Sequence, residues 1–175
     1  MDRPSSWKPS FCDDQCGGSN GKSSINVSLV PGKTDDALEI SYIVKNTGWA
    51  LITKNINPKI LSGTIGISFF YKGSGAPNTI EFKLLLRYPG DSEDTAFGAL
   101  WNSATDTNDN WASIEILYDR DITCWWPDDL CQKHGNSPDL TAVKRIDLAI
   151  SNKPEYGDIA GSGKVAFDDL VGIRP

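Results

Sequence analysis

The chain has 175 residues, 39% hydrophobic and 10% aromatic, enough for one domain with a substantial core. Seventeen basic and 23 acidic side chains leave a net charge of −6, which argues against nucleic acid and anionic membrane surfaces as partners. No apolar run approaches the roughly 18–20 residues of a membrane-spanning helix, and 16 Gly with 10 Pro suit a turn-rich β protein.

Residues 1–11, with Pro, Ser, Lys and a single Trp7, read as a tail or linker, and no signal-peptide pattern is recognisable in them. Residues 12–24, CDDQCGGSNGKSS, are loop by composition. Ile25–Val30 alternates apolar and polar residues as a half-buried strand does, and Pro31-Gly32 turns it. Ala37–Val44 places Leu38, Ile40 and Tyr42 on one face. Trp49–Ile52 and Ile65–Tyr71 follow as strands. Thr79–Tyr88 is the longest candidate: Ile80, Phe82, Leu84 and Leu86 face one way, and Glu81, Lys83, Leu85 and Arg87 the other. Ala96–Trp101 and Trp111–Tyr118 come next, the latter turning Ile114 and Ile116 inward. A long loop spans 119–142. Val143–Ser151 is a strand through Ile146, Leu148 and Ile150, and the chain closes with Gly161–Ile173. No stretch of ten residues shows a helical period. Nine or ten short strands with frequent turns predict an all-β sandwich of two antiparallel sheets, a jelly roll, occupying 12–175. Its core is expected to contain Ile40, Phe69, Phe82, Leu84, Leu86, Ile114, Ile116, Leu148 and Phe167.

The four cysteines form two close pairs, Cys12/Cys16 and Cys124/Cys131. Three connectivities are possible. Local disulfides are preferred because each would brace one loop, and they place the protein outside the cell. A four-cysteine zinc site is the competing reading, but the six residues between Cys124 and Cys131 fit zinc spacing poorly. Asp168 and Asp169 interrupt the apolar run of the last strand. A charge there needs neutralising, by a hard cation such as Ca²⁺ or by salt bridges and solvent at the strand end. Asn26-Val-Ser is a sequon, relevant only to secretion from a eukaryotic cell.

The order of the pieces SSINVSLVPG, ALEISYIVKNTGWALI, LSGTIGISFFYKGSG, TIEFKLLLRY, NWASIEILYDRD, VKRIDLAI and GSGKVAFDDLVGI resembles the galactose-binding-like β-jelly rolls. It is most similar to carbohydrate-binding modules of families 11 and 4, over about residues 12–173. The resemblance implies a groove on one sheet that binds β-glucan or related chains, and a structural Ca²⁺ joining the N-terminal region to the closing strand. By likeness Asp168 is the calcium aspartate and Asp13 or Asp14 the N-terminal ligand; Asn20 and Asp169 offer further oxygens. The cysteines that flank Asp13 and Asp14 depart from the family pattern.

Sugars present apolar C–H faces and many hydroxyls, so recognition calls for flat aromatic rings and polar side chains. The expected rings are Trp49, Trp101, Trp125 and Trp126, the last two inside Cys124-Trp-Trp-Pro-Asp-Asp-Leu-Cys131. Arg87, Glu81 and Asp147 are the expected hydrogen-bonding partners. Each Trp could instead be packing, and each polar residue part of a solvated face. The lone His134 has no catalytic role in this reading. The expected function is a non-catalytic module, monomeric, that binds a β-linked polysaccharide and carries an attached enzyme or complex to it. Two alternatives stand: a small glycoside hydrolase or lyase using Glu81 and Glu115, which would have to lie about 5–5.5 Å apart in a retaining enzyme, and a glycoprotein-binding adhesion module.

Overall fold

A computed structural model describes residues 6–11, 23–45 and 47–175. Two antiparallel sheets form a sandwich. The first has six strands in the order β1-β4-β10-β6-β7-β9: β1 Lys8–Phe11, β4 Trp49–Asn55, β10 Val143–Ser151, β6 Thr79–Leu86, β7 Thr95–Trp101 and β9 Thr123–Trp126. The second has five, β2-β3-β11-β5-β8: β2 Ser24–Pro31, β3 Asp36–Val44, β11 Gly161–Ile173, β5 Gly66–Gly75 and β8 Ala112–Leu117. The jelly-roll expectation holds.

The period-two alternation drives this architecture, because each strand buries one row of side chains against the facing sheet. Ile80, Phe82, Leu84 and Leu86 of β6 are fully buried, as are Ile40 of β3, Leu148 of β10 and Phe167 of β11. Phe69, Ile114 and Ile116 complete the expected core. Phe69 sits at the middle, meeting the Phe167 ring edge-on at 5.8 Å and the Trp101 ring edge-on at 6.5 Å. Such pairs add roughly 0.5–1.5 kcal/mol beyond area burial.

Three segments differ from the sequence reading. Lys8–Phe11, placed in a tail, pairs with β4 from Lys8↔Thr53 to Phe11↔Ala50, and Trp7 beside it is buried. The domain therefore takes in residues before 12. Within the loop assigned to 119–142, Thr123–Trp126 forms β9 on the edge of the six-stranded sheet. Asp128–His134 then forms a helix, α1. Seven residues are too few to show a helical period, yet the charge order suits a helix: Asp128 and Asp129 lie in its first turn, Lys133 and His134 in its last, and Gly135 follows with φ 76°. Cys124–Cys131 is a disulfide joining β9 to α1, as expected. Cys12 and Cys16 lie outside the described residues.

Candidate functional site

The outward face of the six-stranded sheet collects most of the residues expected to bind sugar. Cross-strand pairing arranges them in rows. Leu100, Glu81, Ala149 and Leu51 form one row across β7, β6, β10 and β4; Gly98, Lys83, Asp147 and Thr53 form the next. Ser151 pairs with Thr79 on one side and Trp49 on the other, completing a third row. Trp49, Glu81 and Asp147 thus share one face.

Trp125 joins them through an irregularity. Ala96 pairs with Trp126 and Phe97 with Cys124, so Trp125 is the extra residue of a β-bulge, which re-aims its side chain. Its indole lies over Gly98: a Cβ at that glycine would stand 2.8–2.9 Å from three ring atoms, so only glycine admits the ring at this depth. Trp126 is 44% exposed on the same edge. The Cys124–Cys131 disulfide ties β9 to α1 across this loop. The His134 ring stacks on Tyr88 at 3.6 Å between centroids, and His134 and Lys133 both bond the Asp91 carboxylate.

The polar floor is internally paired. Glu81 accepts from the Ser151 hydroxyl at 2.8 Å and forms ion pairs with Lys83 at 2.7 Å and Lys153 at 3.1 Å. Burial pushes the Glu81 carboxyl up, but Lys83, with help from Ser151 and Lys153, outweighs it and holds the group below its ordinary value. Asp147 is buried and receives a two-pronged bond from Arg145, Nε at 2.8 Å and Nη2 at 3.0 Å. There burial prevails over Arg145 and Lys83, and the carboxyl sits above its ordinary value. Lys83 is legible in the sequence only as part of the polar face of its strand, and Arg145, Ser151 and Lys153 were not singled out. Lys83 shares strand parity with Glu81, and Arg145, Ser151 and Lys153 share the parity of Asp147, Lys153 lying two residues past the end of β10.

The other expected site residues lie elsewhere. Trp101 points inward: it pairs with Ile80 and packs on Phe69 in the core. Arg87 lies just past β6, where its Nε donates to Asp94 at 2.6 Å, and Lys144 holds the other Asp94 oxygen. It belongs to the end of the sheet opposite Trp49. Glu115 stands on β8 of the five-stranded sheet, between the buried Ile114 and Ile116, and so points out from that sheet. Glu81 and Glu115 are therefore on opposite outer faces with the whole core between them, and the paired-carboxylate reading falls.

Asp168 is fully buried on β11. One of its oxygens accepts the backbone N–H of Lys33 at 2.8 Å and Thr34 at 3.2 Å, and the other that of Asp169 at 2.9 Å. The Thr34 hydroxyl bonds the Asp169 carboxylate at 3.0 Å. Asp169 has φ 50° at the bulge that shifts β11 against β5. The described chain thus supplies three backbone N–H donors to the Asp168 carboxylate. No three His, Cys, Asp or Glu side chains converge for a metal among the described residues. Asp13, Asp14 and Asn20 lie outside them.

No known family pattern matches the chain, and no curated protein matches it. Solved structures do. The sandwich, with its tryptophan-bearing sheet face, has the fold of the carbohydrate-binding jelly rolls, as the resemblance implied. The family 11 carbohydrate-binding module of the cellulosomal cellulase Lic26A-Cel5E of Clostridium thermocellum superposes with TM-score 0.69 at 21% identity, covering 97% of this chain and 89% of that one. A family 11 module from the same organism, solved in complex with a β-1,3-1,4-mixed-linked tetrasaccharide, gives TM-score 0.70 at 20% identity over 97% and 90%. A family 30 carbohydrate-binding module gives 0.55 at 12% over 87% and 84%.

Proposed function

We propose that the protein is a non-catalytic, extracellular module that binds a β-linked polysaccharide, foremost a β-glucan, along the outward face of the six-stranded sheet. The observation that carries this is Trp125. An indole seated flat on a glycine, with a second tryptophan beside it and a third on β4, is a surface suited to the apolar faces of sugar rings. Trp49 lies three strands and four residues away from Gly98, about 14 Å by about 13 Å, or roughly 19 Å diagonally. Such a span favours a chain of several sugars over a single one. The solved neighbour holding a mixed-linkage tetrasaccharide points to the same ligand class, and the Cys124–Cys131 disulfide favours an oxidising compartment. In this reading the module carries a linked or associated glycoside hydrolase to its substrate.

Calorimetry and affinity gels with mixed-linkage β-glucan, xylan and mannan test the reading. Binding of at least one neutral β-glycan, weakened by Trp125→Ala without a matching loss of melting temperature, is the expected result. No binding to any polysaccharide overturns the proposal and moves the adhesion-module reading ahead.

A further inference from the structure

Polar recognition on this face need not come from its carboxylates. Both oxygens of Glu81 are occupied, one by Ser151 and Lys153 and the other by Lys83, and both oxygens of Asp147 are occupied by Arg145. The two acids are 6% and 3% exposed at their side chains, whereas Lys83, Lys153 and Arg145 keep 18%, 28% and 32%. An ammonium has three donors, so Lys83 retains donors after meeting Glu81. Its Nζ also stands over the Trp125 ring, 5.6 Å from the ring centre.

We propose that Lys83 is a specificity-determining residue, and that Glu81 is a positioning residue that acts through it. Lys83 donates to an oxygen of the sugar stacked on Trp125. Glu81 holds Lys83 and Lys153 in place and does not itself touch the ligand. The face therefore reads its ligand with cationic donors, while the buried acids stay inside the floor. The neighbouring Arg145 has the same design, its own acid, Asp147, lying beneath it. This rests on the polysaccharide-binding reading above.

The experiment measures mixed-linkage β-glucan binding by calorimetry, with melting temperatures, for the wild type, Lys83→Met, Lys83→Gln, Glu81→Gln, the pair Lys83→Met with Lys153→Met, and that pair with Glu81→Gln. Lys83→Met keeps the stem over the sheet and loses the donors. It is expected to weaken binding about tenfold, the scale of one charge-assisted hydrogen bond. Lys83→Gln, which keeps a donor, should recover part of that loss and decides the matter should Lys83→Met fail to fold. Glu81→Gln should weaken binding alone and cost nothing further once both lysines are replaced, because its effect passes through them. A folded Lys83→Met or Lys83→Gln that binds like wild type overturns the proposal. So does a Glu81→Gln loss of the same size in both backgrounds, which would put Glu81 on the ligand. A wild type that binds no glycan refutes the functional reading itself, a different outcome from either.

Discussion

Replacing Gly98 by alanine tests the seat of the Trp125 ring directly. The added Cβ would stand 2.8–2.9 Å from three ring atoms. Carbon atoms rest about 3.5–4.0 Å apart, so the indole must lift by about 1 Å or swing off the sheet. Overpacking of this kind costs roughly 1–3 kcal/mol, which in a domain of this size lowers the melting temperature by roughly 2–12 °C. The lifted ring also parts from Lys83, so affinity for mixed-linkage β-glucan should fall as well. Differential scanning calorimetry and titration calorimetry on Gly98→Ala, Trp125→Ala and the double variant measure both effects. In the Trp125→Ala background the alanine meets no ring, so Gly98→Ala should then cost little in stability or binding. If Gly98→Ala leaves melting and affinity unchanged, or costs as much without the indole as with it, the seating of Trp125 on Gly98 is refuted.

The two other strand tryptophans should separate by role. Trp101→Ala is expected to destabilise by up to the ~3–5 kcal/mol of a fully buried tryptophan, whereas Trp49→Ala should lose affinity and keep its melting temperature; the reverse pattern in melting curves would show that the faces are misassigned. The lowered Glu81 carboxyl stabilises the fold above its unfolded value of about 4.3 and loses that contribution as pH falls through the lower folded value. Glu81→Gln should therefore flatten the acid limb of the stability curve below about pH 4.3, and an acid limb as steep as in the wild type would refute this. Calcium at the closing strand stays a proposal. Bound at a hundredfold excess over Kd it would add ~2.7 kcal/mol, so EDTA should lower the melting temperature and added Ca²⁺ restore it. An unchanged melting temperature, with no metal by elemental analysis, sinks that proposal and leaves Asp168 as a hydrogen-bonded clasp between β11 and the turn after β2.

Alternation along the chain was enough to assign the sandwich and the nine expected core residues, since burying every second side chain is a property of each strand by itself. It also placed Glu81 on the face opposite Phe82, and Asp147 opposite Leu148. What alternation lacks is the partner of each strand. Glu81 and Glu115 look alike in sequence, both sitting between apolar neighbours, but β6 and β8 belong to different sheets. Only pairing across distant segments puts a whole core between them. Trp101 and Trp125 are likewise two tryptophans in strands. Register with Ile80 turns the first inward, and a one-residue bulge against β7 lays the second on Gly98. Lys8–Phe11 carries no strand pattern of its own and becomes one by completing the edge beside β4. The carboxylates show the same limit. The interrupted apolar run marks Asp168 as a charge that needs neutralising, while Glu81 and Asp147 read only as polar residues on a sheet face. Which groups neutralise them, Lys83 with Lys153, Arg145, or the backbone N–H groups of 33, 34 and 169, depends on side chains and turns brought together only by the folded sheets.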